Sequence, residues 1–265
     1  MVERHEADDD LDLAVDGGVA TIRIDRPLKK NALTRAMWVK LADMVESLSI
    51  DPATRVLVLE GAGEDFCAGA DIGEFDSVRG DASSARAYEA VNVRAFAAIS
   101  RAPMPTIASI RGICFGGGFG LAASCDIRIA SPDARFRLPP ARLGLAYPAE
   151  AMASIVHALG PQMASYLVST ASVVDADWAR QAGFLLEIVD EGDVHRRAMV
   201  MAGEIAQNAP LSIRAAKAAI AAVLDPDPDL ARRAAELGDA TFESADYAEG
   251  RAAFRQRRTP VFTGR

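Results

Sequence analysis

The sequence is poor in the residues that most often announce a cofactor, a disulfide scaffold or a polyanion partner. Its 3 cysteines, Cys67, Cys114 and Cys125, are odd in number, form no CxxC pair and have no histidine beside them. That excludes a disulfide framework and a thiolate zinc site of the usual spacing. The 3 histidines, His5, His157 and His195, are scattered, so no metal is expected. Basic residues are outnumbered, 29 against 37 acidic ones, leaving a net charge of −8. A nucleic-acid partner needs a clustered positive surface and is not expected. The longest run free of charge, residues 151–174, contains His157, Gly160-Pro161, Gln162 and several serines, whereas a membrane span needs about 20 nearly unbroken apolar residues. Residues 1–12 are acidic and lack the basic and apolar regions of a secretory signal. They are expected to form a flexible tail on a cytoplasmic protein with reduced thiols.

What is present is a large stock of core residues: of 265 residues, 50% are hydrophobic and 25% charged, the make-up of a globular protein able to bury a core. Val19 to Ile24 alternates in strand fashion, and Asp25-Arg26-Pro27 ends it. Thr34 is placed to cap a helix on which Met37, Leu41, Met44, Val45 and Leu48 share one face, ending near Asp51-Pro52. Val56-Leu57-Val58-Leu59 is too short for a helix and reads as a buried strand. This strand, helix, strand order predicts a right-handed crossover. Tyr88, Val91, Ala95 and Ile99 mark a further helix, Pro105 to Ile110 a strand, Gly117 to Ser124 a short helix, and Asp126 to Ala130 a strand. The fold class is therefore α/β. After about residue 190, Val194–Asn208, Leu211–Leu224 and Asp229–Tyr247 read as three alanine-rich helices. The expected organisation is an α/β core over residues 13–195 and a helical region over 196–265.

Two segments suggest a site built from backbone. Phe66-Cys67-Ala68-Gly69-Ala70-Asp71-Ile72 places small residues around a glycine ahead of an acidic residue suited to capping. Gly116-Gly117-Gly118 follows a strand and opens a short helix, where free N–H groups and the helix dipole favour developing negative charge. Either segment alone is weak, and for the triple glycine close packing or a tight turn is favoured over catalysis, given how permissive glycine is.

Taken together and in order, these segments resemble those of the crotonase superfamily, the enoyl-CoA hydratase/isomerase fold. Arg26-Pro27-Leu28-Lys29-Lys30-Asn31-Ala32-Leu33, Cys125-Asp126-Ile127-Arg128-Ile129-Ala130, Ala182-Gly183-Phe184 and residues 246–262 carry the likeness further along the chain. The resemblance implies a spiral of ββα units with a C-terminal helical trimerisation region, assembled as a homotrimer or a dimer of trimers. It implies a thioester carbonyl held between the backbone N–H groups of Ala68 and Gly117. Coenzyme A, as part of the substrate rather than a separate cofactor, would run along Lys29, Lys30, Ala32, Ala68, Ala70, Asp71 and Ile72, with Arg257 or Arg258 reaching a neighbouring subunit's CoA phosphate. Lys29 and Lys30 read equally as solvated loop lysines. Asp126 matches a structural aspartate of the family.

The sequence departs from the family hydratases where those use two glutamates. The corresponding positions are Gly120 and Pro140, and neither side chain can transfer a proton, a service worth roughly 10² to 10⁴ in rate. Two-glutamate hydration is therefore not expected. The replacement candidates are Tyr147 and Glu150, because the stretch around them resembles that of methylmalonyl-CoA decarboxylases, in which a tyrosine orients the departing carboxylate. The competing readings are packing for Tyr147 and dipole stabilisation of a helix start for Glu150. Cys67 and Cys114, which flank the two loops, read as packing thiols. The expected function is stabilisation of an acyl-CoA thioester enolate, with decarboxylase, lyase or isomerase chemistry; the alternative is a non-catalytic acyl-CoA binding protein.

Overall fold

The computed structural model describes residues 10–265. Its first element precedes the first strand read from the sequence: Leu11–Asp16 (β1) pairs antiparallel with Val19–Ile24 (β2) across Gly17 and Gly18, both at positive φ. Leu11 is buried, so the chain joins the core before residue 12, and the tail expectation applies only to residues 1–9, which lie outside the described residues. Beyond this hairpin the large sheet is parallel. Val56–Gly61 (β3), Thr106–Ile110 (β4), Ile127–Ala130 (β6) and Glu187–Ile188 (β9) complete the order β1-β2-β3-β4-β6-β9.

A second sheet of three short strands lies beside the first: Ile113–Phe115 (β5), Arg135–Arg137 (β7) and Val174–Asp175 (β8). The chain visits the two sheets alternately. It leaves β3 for a bridge of Cys67 to Cys114, leaves β4 for β5, and leaves β6 for β7. Each unit thus lays its second segment beside that of the unit before it, and this spiral carries the glycine-rich loops to one edge.

The helices follow from the pattern of apolar residues. Arg35–Ile50 (α1) is capped by Thr34, whose hydroxyl accepts the Met37 N–H, and buries Met37, Trp38, Leu41, Ala42, Val45 and Leu48. Phe75–Val78 (α2) is one turn; Ala82–Arg101 (α3) begins at an Asp81 capping box and buries Tyr88, Ala95, Phe96 and Ile99. Gly117–Ser124 (α4) is almost wholly buried. Ala149–Thr170 (α5) is two helices joined at Gly160, whose φ of 75° precedes Pro161. Ala176–Gln181 (α6) returns the chain to β9. The alternation within β3 sends Leu57 and Leu59 to the face shared with α1 and Val56 and Val58 to the other. Val194–Ala206 (α7) covers that second face through Val194, Ala198, Met201 and Ala202, opposite Val19, Ile107 and Ile129. A strand buried on both faces explains the unbroken apolar run of β3. It also moves the expected boundary at residue 196, because α7 is part of the core.

The helices that stand off the core are Pro210–Leu224 (α8), Pro228–Phe242 (α9) and Ala245–Gln256 (α10). The single helix expected over Asp229–Tyr247 is broken in two by Ser244, whose hydroxyl accepts the Tyr247 N–H and starts α10. Three polar anchors tie this region down. Lys217 donates to Asp126 Oδ2 at 2.6 Å and to the Met104 carbonyl at 2.9 Å, while Asp126 also accepts from the Thr106 N–H and hydroxyl. Asp246, buried at the start of α10, accepts the N–H groups of Thr263 and Gly264. Glu249 holds Arg258 and the Val261 N–H. No helix among the described residues is long and apolar enough to cross a membrane.

Lys217→Met takes its cation from the exposed Asp126 and a donor from the carbonyl of the buried Met104, and should cost about 1–3 kcal/mol, the range for hydrogen bonds made by a charged group; the urea midpoint reports it. The Arg258 guanidinium, followed by the Val261 N–H, holds the Glu249 carboxyl down at about 2, against an ordinary 4.5. A depressed carboxyl stabilises the fold fully above its unfolded value and loses that contribution as pH falls. The protection of the Thr259, Val261, Phe262 and Thr263 amides against exchange, relative to the unfolded chain at the same pH, should therefore fall between pH 4.5 and about 2, and in Glu249→Gln should already be low at neutral pH.

Candidate active site

The first wall of the site is the loop that follows β2. Lys30 and Asn31 take left-handed backbone, φ 51° and 55°, a conformation asparagine tolerates better than most residues. The buried Asn31 amide donates to the carbonyls of Ala62 at 2.8 Å and Asp65 at 2.5 Å, and its oxygen accepts the Arg26 N–H at 2.9 Å. One side chain thereby pins residues 26–33 to the loop after β3. Arg26 donates to the Ala32 carbonyl and to Asp71 Oδ2, at 2.7 and 3.0 Å.

Residues 67–71 run between this loop and β5. On one side Ala68 N–H donates to Lys30 C=O at 2.9 Å, Leu33 N–H to Gly69 C=O at 2.8 Å, and Asp71 N–H to Leu33 C=O at 2.9 Å. On the other side Cys67 N–H donates to Ile113 C=O at 2.9 Å and Phe115 N–H to Cys67 C=O at 3.0 Å. The N–H expected to receive a thioester oxygen, that of Ala68, is therefore already spent on Lys30. Alternation along an extended chain turns the N–H of Ala70 away from Leu33, and it has no acceptor among the described residues. Gly69, at φ +96°, lies so close to the triple glycine that a Cβ there would stand 2.8 Å from Gly117 N and 2.9 Å from the Phe115 oxygen. Gly117 is the first residue of α4, where an N–H has no partner within the helix. The structure thus sets Gly69, which precedes Ala70, against Gly117, and leaves the N–H of Ala70, rather than that of Ala68, without an acceptor among the described residues.

Behind this pair lies an aromatic wall that the sequence reading did not single out. Trp38 abuts Gly117 and meets Phe96 edge to face at 5.6 Å; Phe96 stacks on Tyr147 at 6.5 Å. The Tyr147 hydroxyl fills the space in front of Gly120, where a Cβ would lie 2.2 Å from it and 2.7 Å from Phe96 Cζ. Position 120 therefore has no room for any side chain, and Tyr147 Oη donates to the Gly116 carbonyl at 3.2 Å. Pro140 opens a short 3-10 turn, Pro140–Leu143. Glu150, exposed in the first turn of α5, lines a groove of about 670 Å³ between α1, α3 and α5, and its side chain makes no hydrogen bond among the described residues. Burial pushes Cys67 and Cys125 up to about 12 and Cys114 well above its ordinary value, so all three remain thiols.

The charged candidates divide in the same way. Asp71 Oδ1 caps Gly73 at 3.0 Å, and although burial opposes it, that N–H, Arg26 and Lys29 hold its carboxyl below the ordinary value. Its side chain is committed to structure. Lys30 lies 3.3 Å from Asp65 with most of its side chain in solvent, Lys29 is exposed, and Ile72 is 64% exposed on the turn that Asp71 caps. Arg257 is exposed at the end of α10 and Arg258 is taken by Glu249. Asn31 could have been found from the sequence, since an asparagine between a proline turn and a helix cap signals left-handed backbone. Trp38 and Phe96 gave no such signal; both look like ordinary members of helical apolar stripes.

Comparison with known proteins agrees with this geometry. Residues 14–265 match the family described as enoyl-CoA hydratase/isomerase. A crotonyl-CoA hydratase of Syntrophomonas wolfei is 32% identical over 246 residues, 92% of this chain and 94% of that protein. A 2,3-dehydroadipyl-CoA hydratase of Escherichia coli is 29% identical over 252 residues, 93% of this chain and 96% of that protein. The crystal structure of an enoyl-CoA hydratase/carnithine racemase from Magnetospirillum magneticum superposes with a TM-score of 0.92 at 36% identity, covering 98% of this chain and 97% of that one. A spiral of strands that lays two amide-bearing loops side by side, matched over nearly the whole chain, makes this protein a member of the enoyl-CoA hydratase/isomerase family, with the crotonase fold.

Proposed function

We propose that the protein binds an acyl-CoA thioester with its carbonyl oxygen between the N–H groups of Ala70 and Gly117, and stabilises the enolate that forms there. The observation that carries this reading is the close approach of Gly69 to the Gly117 amide, beside an Ala70 N–H without an acceptor. Two preorganised donors aimed at a developing oxyanion are worth far more in a water-poor site than in solvent, and losing one costs roughly 10² to 10³ in rate. Lys29, Lys30 and Arg257, exposed and cationic, are the groups available to the CoA phosphates on a chain of net charge −8.

The chemistry follows from what surrounds the donors. Position 120 is filled by the Tyr147 hydroxyl and position 140 is proline, so no carboxylate stands at either place. Decarboxylation suits such a site, because loss of carbon dioxide generates the enolate without removal of a proton. The same lack of a base favours the second reading, a protein that binds acyl-CoA without turning it over. The assembly we propose is a trimer or a dimer of trimers on α8 to α10, where Ile220, Val223, Phe242 and Phe254 are exposed.

Incubation with crotonyl-CoA and with methylmalonyl-CoA, followed by mass spectrometry, separates these readings. Carbon dioxide loss from the second ester without hydration of the first is expected. Hydration of crotonyl-CoA would overturn the exclusion of water addition, and thermal stabilisation by both esters without product would favour the binding protein, since a ligand specific for the native state raises its melting temperature. Gly69→Ala places a Cβ 2.8 Å from Gly117 N at φ +96°. It should weaken acyl-CoA binding at least about tenfold, some 1.4 kcal/mol, in a protein whose circular dichroism is unchanged.

A further inference from the structure

The carbonyl of Gly116 and the N–H of Gly117 are the two ends of one peptide group. The donor assigned to the thioester oxygen is therefore only as well oriented as that peptide plane, and the plane lies between two glycines. With no Cβ on either side, a Gly–Gly peptide turns over more readily than any other, and a turn would aim the carbonyl, rather than the N–H, into the site. Gly116 itself sits at φ 52° and ψ −114°, away from the regions open to other residues.

Two donors meet the Gly116 carbonyl: the Gly120 N–H at 3.1 Å, which is the first turn of α4, and the Tyr147 hydroxyl at 3.2 Å. Between them they use both lone pairs of the oxygen. We infer that Tyr147 is a positioning residue, acting through the Gly116–Gly117 peptide to hold and polarise the N–H that receives the thioester oxygen. This rests on the oxyanion reading given above and adds the group that enforces it. A hydroxyl donating to the carbonyl end draws electron density toward that oxygen and makes the N–H a stronger donor, an effect of about 10–30% per bond in a chain of hydrogen bonds.

Three further observations agree. The ring is held by its stack on Phe96, which in turn meets Trp38, the residue against Gly117. Burial, with the Cys114 and Cys67 thiols adding to it, pushes the hydroxyl's pKa up, so the group stays protonated and can only donate to the carbonyl. Gly120 is the counterpart: any Cβ there would meet Tyr147 Oη at 2.2 Å, so glycine at 120 is the condition for a hydroxyl in this place. The two positions work as a pair, one giving up its side chain so that the other can reach the back of the donor peptide.

The test needs no turnover. Crotonyl-CoA labelled with carbon-13 at the thioester carbonyl reports, by infrared difference spectroscopy, the lowering of its carbonyl stretch when bound. Tyr147→Phe keeps the stack on Phe96 and removes only the hydroxyl. It should lose roughly 10–30% of the wild-type band shift, the strengthening a linked hydrogen bond provides, while affinity for coenzyme A lacking an acyl group stays unchanged. Gly120→Ala, which displaces the hydroxyl without deleting it, should lose a similar share, and the double variant should lose no more than either one. A full wild-type shift in Tyr147→Phe would overturn the inference and leave the oxyanion reading intact. A wild-type complex whose band matches that of free ester would overturn the oxyanion reading, and the positioning role with it.

Discussion

The site depends on a pair of backbone hydrogen bonds between the segment after β3 and β5: Cys67 N–H to Ile113 C=O, and Phe115 N–H back to Cys67 C=O. These bonds join two loops about fifty residues apart in sequence and set the separation of everything that follows. Downstream of the bridge the two segments are Gly69-Ala70 and Gly116-Gly117, and they meet at a distance only glycine allows. Parallel pairing is what makes this possible, because it sends both loops off the same edge in the same direction. The spiral of units, which follow β3, β4 and β6 of the large sheet with Cys67, β5 and β7 beside it, delivers that pairing through backbone hydrogen bonds.

The surroundings of the donor pair are apolar and slow to ionise. Trp38, Phe96 and Tyr147 form its back, and three thiols pushed upward by burial lie beneath. Such a medium strengthens the pull of two oriented N–H groups on a growing negative charge. It supplies no proton acceptor at positions 120 and 140. Under the proposed function such a site holds charge rather than moving protons, and Tyr147, whose hydroxyl donates to the Gly116 carbonyl, lies behind the donors.

Charged groups are placed at the margins, where they set position. Arg26 and Asp71 lock the two loops together, Lys217 and Asp126 tie α8 to the start of β4, and Asp246 and Glu249 fold the last residues back onto α10. Even the buried Glu60 is shared between Arg23 at 2.7 Å and His195 at 2.6 Å, joining β2, β3 and α7. Lys29, Lys30 and Arg257, all exposed, belong to loops or helix ends rather than to these networks, except for the 3.3 Å contact of Lys30 with Asp65.

Much of the architecture was legible in the amino-acid order because it depends on local periodicity. The α1 stripe with its Thr34 cap, the buried β3 run and the Gly117–Ser124 helix all appear where short-range patterns place them. The same reading missed β1, although Leu11, Leu13 and Val15 alternate along it, because its first residues read as part of the acidic tail, and fused α9 with α10, because alanine-rich helices differ little from the turn that parts them. The sequence by itself determined that positions 120 and 140 carry no acid or base and that two glycine-bearing loops exist. Which amides are free was decided only by tertiary structure, since an N–H is a donor to a ligand only if nothing else in the fold accepts it. Lys30 took the N–H of Ala68, leaving that of Ala70, and Tyr147, twenty-seven residues beyond Gly120, occupied the space that a side chain at Gly120 would need.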